Sequence, residues 1–114
     1  MVDFNNPITR VEFNTELFGI PESEIPNLFL VDAAGNGMIN AGILDKDTLL
    51  CIRTNEIADG DIVVVNVEGE SMLRRFFKEG TSARLKRENG TGEQILVTDY
   101  TIVGKLVGIQ RKYR

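Results

Sequence analysis

The stretch that decides the fold is residues 58–76, which read ADGDIVVVNVEGESMLRRF. Its centre, residues 61–67, is rich in β-branched side chains and follows the turn-forming sequence ADGD, so it predicts a β-strand. The pair Glu68 and Gly69 suits a tight hairpin turn, which would send residues 71–77 back along this strand. The segment therefore predicts a β-hairpin in the middle of the chain.

Further short runs of β-forming residues lie on both sides of this hairpin and are separated by turn residues. They are residues 28–31, 48–53, 82–87, 94–97 and 101–109. The last run contains Gly104 and Gly108, and two glycines in one strand predict bulges or a sharp bend. Residues 36–42 are predicted to form one helical turn. The pattern as a whole predicts a mostly β domain, built as a sandwich or a partial barrel.

The beginning of the chain has a different pattern. Residues 1–27 are interpreted as an extended arm followed by a short helix at residues 16–18, which Asn14 or Thr15 could cap. Residues 28–114 are interpreted as the β domain. With 114 residues, the chain is expected to form a single domain overall.

The composition excludes several classes of function. The net charge of −4 argues against a grip on the phosphate backbone of DNA by this domain itself. The sequence contains no histidine, which excludes Ser–His–Asp and Cys–His catalysis and most zinc sites, so no metal and no cofactor are expected. The single cysteine, Cys51, cannot form an internal disulfide and is predicted to be a small buried side chain.

Other features favour a cytoplasmic protein that makes no membrane contact. No apolar run approaches the ~20 residues needed to cross a bilayer, and the start of the chain has no signal-peptide pattern. Residues 84–87, RLKR, form a basic cluster. The alternation predicts that Leu85 is buried and that the charges lie on a solvated strand face, so the cluster does not indicate a nucleic-acid site.

Two segments of the sequence carry a resemblance to a known family. The first is residues 29–50, FLVDAAGNGMINAGILDKDTLL, and the second is the hairpin segment, residues 58–76. Together with the closing run IVGKLVGI at residues 102–109, they resemble the LexA/UmuD family of Ser–Lys self-cleaving peptidases, which includes phage repressors. The resemblance covers about residues 28–113. It implies the fold of that family's C-terminal domain, with short, strongly bent strands and one or two short helical turns.

The resemblance also implies where a catalytic dyad would lie. Such a site needs a hydroxyl on a turn and a neutral lysine on a neighbouring strand to accept its proton. Gly37 stands at the nucleophile position and Arg74 at the lysine position, and Asn36, Met38 and Leu73 are expected to line the cleft. Glycine has no nucleophilic atom, and arginine does not shed its proton at ordinary pH. We therefore expect no catalysis at these two positions.

Neither a substitute dyad nor a cleavable bond is evident. Ser71 and Lys46 are a poor pair, because Lys46 is predicted to lie in a solvated turn where its amine stays charged. In the resembled family the cleaved bond usually joins a small residue to glycine, some thirty residues before the nucleophile. That distance leads to residues 1–6, which contain no such pair.

The closing strand is the expected dimer contact. In the resembled family, C-terminal strands pair antiparallel across a two-fold axis. The residues concerned are Ile102, Val103, Leu106, Val107 and Ile109. Independently of the resemblance, a long apolar strand at the edge of a sheet is a template for pairing. The alternative is that this run forms an ordinary central strand.

Together these features predict a catalytically inactive regulatory and dimerisation domain of a bacterial or phage transcriptional repressor. We expect a homodimer whose cleft still binds an extended peptide segment. DNA contact would be made only through an N-terminal helix-turn-helix outside this sequence. Two alternatives remain open: a self-cleaving Ser–Lys peptidase of the SOS response whose dyad has been altered in this sequence, and a stand-alone UmuD-like accessory protein.

Overall fold

A computed structural model describes residues 6–7 and 19–111 of the chain. In chain order the strands are β1 (Asn6–Pro7), β2 (Leu28–Asp32), β3 (Thr48–Ile52), β4 (Ile62–Val67), β5 (Glu70–Glu79), β6 (Ser82–Lys86), β7 (Gln94–Val97) and β8 (Thr101–Gln110). Two 3-10 helices, Glu22–Asn27 and Ile39–Ala41, lie before and after β2. The second confirms the helical turn predicted for residues 36–42. The short helix predicted at residues 16–18 lies outside the described residues.

The central hairpin is confirmed. Strands β4 and β5 pair antiparallel, with Val67 opposite Glu70 at the turn. Glu68 and Gly69 both have positive φ, at 53° and 79°. Two-residue turns whose twist matches that of the flanking strands require positive φ at both central residues. The Asn66 side-chain oxygen accepts a hydrogen bond from the Gly69 N–H at 3.1 Å and closes the turn.

The mostly β prediction is also confirmed, and the strands form one continuous antiparallel sheet rather than the two stacked sheets of a sandwich. Its order is β1-β2-β3-β8-β4-β5-β6-β7. β1 pairs with β2 at one edge, and its two residues belong to the segment interpreted as the N-terminal arm. β7 forms the opposite edge. No helix in the described part of the chain is long and apolar enough to cross a membrane.

The prediction that the closing strand lies at an edge is wrong, because β8 lies between β3 and β4. Each neighbour pairs with only half of it: β3 with residues 105–110 and β4 with residues 101–105. The strand is long enough to bridge two partners that are offset along its length. As a result, one edge of each half has no paired strand among the described residues.

The bulges predicted from the two glycines are present in β8. The register against β4 shifts by one residue at Val103, and the register against β3 shifts at Val107. A Cβ atom at Gly104 would lie 2.6 Å from Cε1 of Phe29 and 2.7 Å from the carbonyl oxygen of Ile52. Glycine is required here because the β8 backbone passes directly against a core ring.

The core lies on both faces of the sheet, as the alternation along the strands requires. One set of buried residues, the cleft-side cluster, comprises Phe29, Val31, Ala33, Met38, Ile43, Leu49, Cys51, Val64 and Leu73. Neighbouring residues of the same strands, such as Leu30 and Leu50, pack on the other face. Cys51 is fully buried, as predicted, and this burial raises the pKa of its thiol to about 12.

Candidate functional site

A cleft of about 450 Å³ opens between the loop that follows β2 and the first half of β5. Arg87 and Asn89, which follow β6, close one side. Its lining residues are Ala33, Ala34, Gly35, Asn36, Gly37, Met38, Ile43, Glu70, Ser71, Met72, Leu73, Arg74, Arg87 and Asn89. The predicted cleft residues Asn36, Met38 and Leu73 are all among them.

The loop that carries Gly37 is held in place from two directions. Its apolar side chains Met38 and Ile43 are 3% and 2% exposed and anchor it in the cleft-side cluster. On its other side, the Gly37 carbonyl accepts a hydrogen bond from the Glu88 N–H at 3.0 Å, and the Asn40 N–H donates to the Glu88 carbonyl at 2.5 Å. The backbone at Gly37 is therefore fixed relative to the strands that form the cleft.

The structure brings the two predicted dyad positions together. A Cβ atom added at Gly37 would lie 3.8 Å from Nη1 of Arg74, an ordinary van der Waals separation. Gly37 is not among the residues with positive φ, so a side chain is tolerated there. The two positions therefore lie next to each other in the cleft, although neither a hydroxyl nor an amine is present.

Arg74 is a half-buried cation whose positive charge has few compensating partners. Its Nη1 donates to the Leu73 carbonyl at 2.7 Å, and no carboxylate among the described residues forms an ion pair with it. Burial lowers the pKa of Arg74, and the neighbouring charge of Arg87 lowers it further, while Glu93 and Glu70 act in the opposite direction. A guanidinium nevertheless stays charged at physiological pH. The group can bind an anion but cannot act as a general base.

Arg87 is a functional candidate that the sequence pattern did not reveal. All charges of the basic cluster were predicted to lie on a solvated face. Alternation, however, places Arg87 on the same side as the buried Leu85, and β6 ends at Lys86 just before it. Its Nε is buried without a hydrogen-bond partner, and its Nη1 lies 3.9 Å from Oε2 of Glu93. The Asn89-Gly90 turn that follows was the available signal that the strand had ended. The rest of the basic cluster behaves as predicted, since Leu85 is 1% exposed.

The substitute dyad is not assembled. Ser71 lines the cleft, but Lys46 is exposed in a turn with φ of 73° and is not a lining residue. Among residues 6–7 and 19–111, no group of three or more Asp, Glu, Cys or His side chains is placed to hold a metal ion.

An ion pair between the buried carboxylate of Asp47 and the partly exposed Arg111 fixes the far side of the cleft loop. Asp47 is 2% exposed, and its two carboxylate oxygens accept hydrogen bonds from Nε and Nη2 of Arg111 at 2.7 and 2.8 Å. The Leu44 N–H donates to the same carboxylate at 2.8 Å, and Nη2 of Arg111 also donates to the Gly42 carbonyl at 2.9 Å. The Arg111 hydrogen bonds are the main reason that the pKa of Asp47 lies below its usual value. The residue after β8 is thereby joined to the loop that lines the cleft.

The side chains of the predicted dimer strand pack inward. Val103, Leu106 and Ile109 contact the cleft-side cluster. Ile102 and Val107 pack against the buried residues of the opposite face. The part of this strand that remains unpaired is therefore its backbone edge. It is chiefly the edge of residues 106–110 that faces away from β3.

The chain matches a family model described as Peptidase S24-like over residues 2–107. It is 40% identical over 111 residues to a LexA repressor of Clostridium botulinum, an alignment that covers 95% of this chain and 55% of that protein. It is 43% identical over 110 residues to a LexA repressor of Clostridium perfringens, covering 94% of this chain and 54% of that protein. A LexA repressor of Clostridium acetobutylicum is 40% identical over 115 residues, covering 98% of this chain and 56% of that protein.

The chain thus spans about half the length of the curated relatives it matches. The resemblance to the LexA/UmuD-type family that the motifs indicated is confirmed by these matches. This chain belongs to the Peptidase S24-like family.

Proposed function

We propose that this chain is a catalytically inactive regulatory and dimerisation domain of a LexA-like transcriptional repressor of a bacterium or phage, acting in the cytoplasm. Its similarity to LexA repressors supports the repressor part of the proposal. The observation that carries the inactive part is the pair of residues facing each other in the cleft, Gly37 and Arg74. DNA contact is assigned to a further domain, because this chain carries a net charge of −4.

The chemistry of peptide hydrolysis explains why this pair is inactive. A Ser–Lys dyad needs an oxygen that attacks the peptide carbonyl carbon and a neutral amine that takes the hydroxyl proton. Gly37 supplies no oxygen, and Arg74 keeps its proton. Loss of either group alone is enough to prevent the first step.

The test is hydrolysis of a blocked peptide that contains one Ala–Gly bond, followed by mass spectrometry at neutral and mildly alkaline pH. The chain itself is expected to leave the peptide and its own backbone intact. The double variant Gly37→Ser with Arg74→Lys is the positive control, since a Ser fits at this backbone and burial would favour a neutral lysine. Each single variant is expected to be inactive. Hydrolysis of the peptide or of its own backbone by the unaltered chain would contradict the proposal.

The proposal also includes a homodimer formed by β8. Residues 106–110 have no paired strand on the side of β4 among the described residues, so their backbone groups are available to a second copy. The antiparallel pairing of two such segments about a two-fold axis would satisfy these groups.

The last part of the proposal is that the cleft binds an extended peptide segment without cutting it. The backbone of residues 70–74 borders the cleft, and β6 pairs only with residues 75–79 of β5. This leaves an edge to which an extended chain can add as a strand. Removal of the dyad groups leaves that edge and the cleft walls in place.

A further inference from the structure

The cleft contains two guanidinium groups that the proposed function does not yet explain. Arg74 and Arg87 both line it, and they are close enough that the charge of Arg87 lowers the pKa of Arg74. Two like charges side by side repel each other, and partial burial increases the repulsion because the surrounding dielectric is low. An anion placed between them would relieve this repulsion.

The hydrogen-bonding capacity of these two groups is largely unused. Arg74 makes a single hydrogen bond to a described residue, from Nη1 to the Leu73 carbonyl, which leaves most of its N–H donors without a partner. Arg87 has a buried Nε without an acceptor, and its contact with Glu93 is long at 3.9 Å. Buried donors without acceptors are costly, so an arrangement of this kind favours a ligand that brings acceptor oxygens.

The remaining charge in the cleft limits how much anionic charge it can take. Glu70 also lines the cleft, and it forms no ion pair with Arg74 among the described residues. Two cations and one carboxylate leave an excess of one positive charge among the lining side chains. Glu93, which does not line the cleft, lies 3.9 Å from Arg87 and offsets part of this excess. This balance suits a single carboxylate and disfavours a highly charged polyanion.

The shape of the cleft indicates what carries that carboxylate. A volume of about 450 Å³ is much larger than a carboxylate group needs. The open edge of residues 70–74 offers backbone hydrogen bonds to an extended chain. An extended peptide would use all of these features, and a free anion would use only the arginines.

The geometry points to recognition of an acidic side chain, Asp or Glu, on an extended peptide that adds to the edge of β5, with Arg74 and Arg87 holding its carboxylate. This inference rests on the proposed function, because it assumes that the cleft holds a peptide. It adds the class of residue that the cleft selects. Planar guanidinium groups suit a carboxylate well, since they donate paired hydrogen bonds to its two oxygens.

The test uses two fluorescent six-residue peptides built from Ser, Thr and Val, with blocked termini, that differ only at a central Glu or Gln. Binding to the whole chain is measured by fluorescence anisotropy. We expect the Glu peptide to bind about tenfold more tightly than the Gln peptide, because it makes charge-assisted hydrogen bonds. Arg74→Gln is expected to abolish this preference, and Arg87→Gln is expected to reduce it.

Arg84→Gln is the matched control for these variants. It makes the same change in net charge on an arginine of β6 that pairs with Glu79 and does not line the cleft. Its preference for the Glu peptide should equal that of the unaltered chain. If Arg74→Gln does not fold, amide chemical shifts of the unaltered chain provide the test: the Glu peptide should shift Gly37, Leu73 and Arg74 more than the Gln peptide does.

The possible failures are distinguishable. Equal binding of the two peptides would overturn carboxylate recognition and leave peptide binding intact. Absence of binding by both at millimolar concentration would overturn both this inference and the peptide-binding part of the proposed function. If the folded Arg74→Gln variant still preferred the Glu peptide, the carboxylate would bind elsewhere, and the inference would be overturned. Displacement of the Glu peptide by acetate at an equal concentration would indicate a site for small anions and would also overturn it.

Discussion

Single side chains decide what the cleft of this protein can do. Gly37 lacks an attacking atom and Arg74 holds its proton, and the proposed absence of catalysis rests on these two residues. The resemblance to the LexA/UmuD family implied these two positions, since the motifs that carry it surround them. Arg87 was not predicted, because its role depends on where β6 ends. The Asp47–Arg111 pair was not predicted either, since 64 residues separate its two members.

Asp47 provides a prediction about stability at this scale. Asp47→Asn should lower the free energy of unfolding by about 2 kcal/mol at neutral pH, because it removes a buried carboxylate that accepts hydrogen bonds from Arg111 and Leu44. Since the pKa of Asp47 is lower in the folded state, its contribution is present above the unfolded pKa of roughly 4 and is lost as the pH falls through the folded value.

Urea unfolding over a range of pH checks this prediction. The difference between the chain and Asp47→Asn should be constant above about pH 5 and should shrink below about pH 4. Asp99→Asn, at an exposed position, is the control for removal of one negative charge. A difference that grows on acidification would show that the ion pair does not stabilise the fold.

At the scale of secondary-structure elements, β8 is the strand on which the sheet depends. It joins β3 and β4, which are not neighbours of each other in the sheet, and it pairs with each over only half its length. The bulges at Val103 and Val107 allow the strand to change register on each side. The glycines that accompany them were evident in the sequence, but the two partner strands were not.

Gly104 provides the prediction for this strand. Gly104→Ala should destabilise the chain by about 2 to 3 kcal/mol, because the new Cβ would overlap the Phe29 ring and the Ile52 carbonyl. Gly37→Ala is the matched control: its Cβ meets only Arg74 Nη1 at 3.8 Å, so its stability should stay within about 1 kcal/mol of the unaltered chain. Thermal and urea unfolding of the two variants measure the difference. Equal stability of both would mean that β8 can move away from Phe29.

At the scale of the whole molecule, two edges of the sheet are compared as places where a second copy could pair. One is the half of β8 at residues 106–110, and the other is β7, which forms the edge of the sheet and exposes Ile95 and Leu96 at 38% and 57%. Exposed apolar side chains alone would favour β7. The proposal for β8 rests instead on the backbone of residues 106–110, which has no paired strand on the side of β4 among the described residues.

Hydrogen exchange distinguishes these two edges. Light scattering at micromolar concentration should give twice the chain mass of 12.7 kDa. Amides of residues 106–110 should then exchange more slowly as the protein concentration rises, while those of β7 should not change, since pairing protects only the backbone at the interface. A monomer at micromolar concentration would end the dimer proposal. Concentration-dependent protection confined to β7 would move the interface to that edge.

The sequence by itself determined the features that depend on neighbouring residues. The hairpin of β4 and β5, the mostly β composition of the fold and the bulges of β8 all follow from short-range alternation and turn chemistry. The dyad positions Gly37 and Arg74 are what the resemblance to the LexA/UmuD family implied. Only the tertiary structure decided the place of β8 between β3 and β4, the position of Arg87 in the cleft and the pairing of Asp47 with Arg111. The physical reason is that strand order and contacts between distant residues depend on the total burial and backbone pairing of the whole sheet. No short stretch of sequence determines this total burial and pairing.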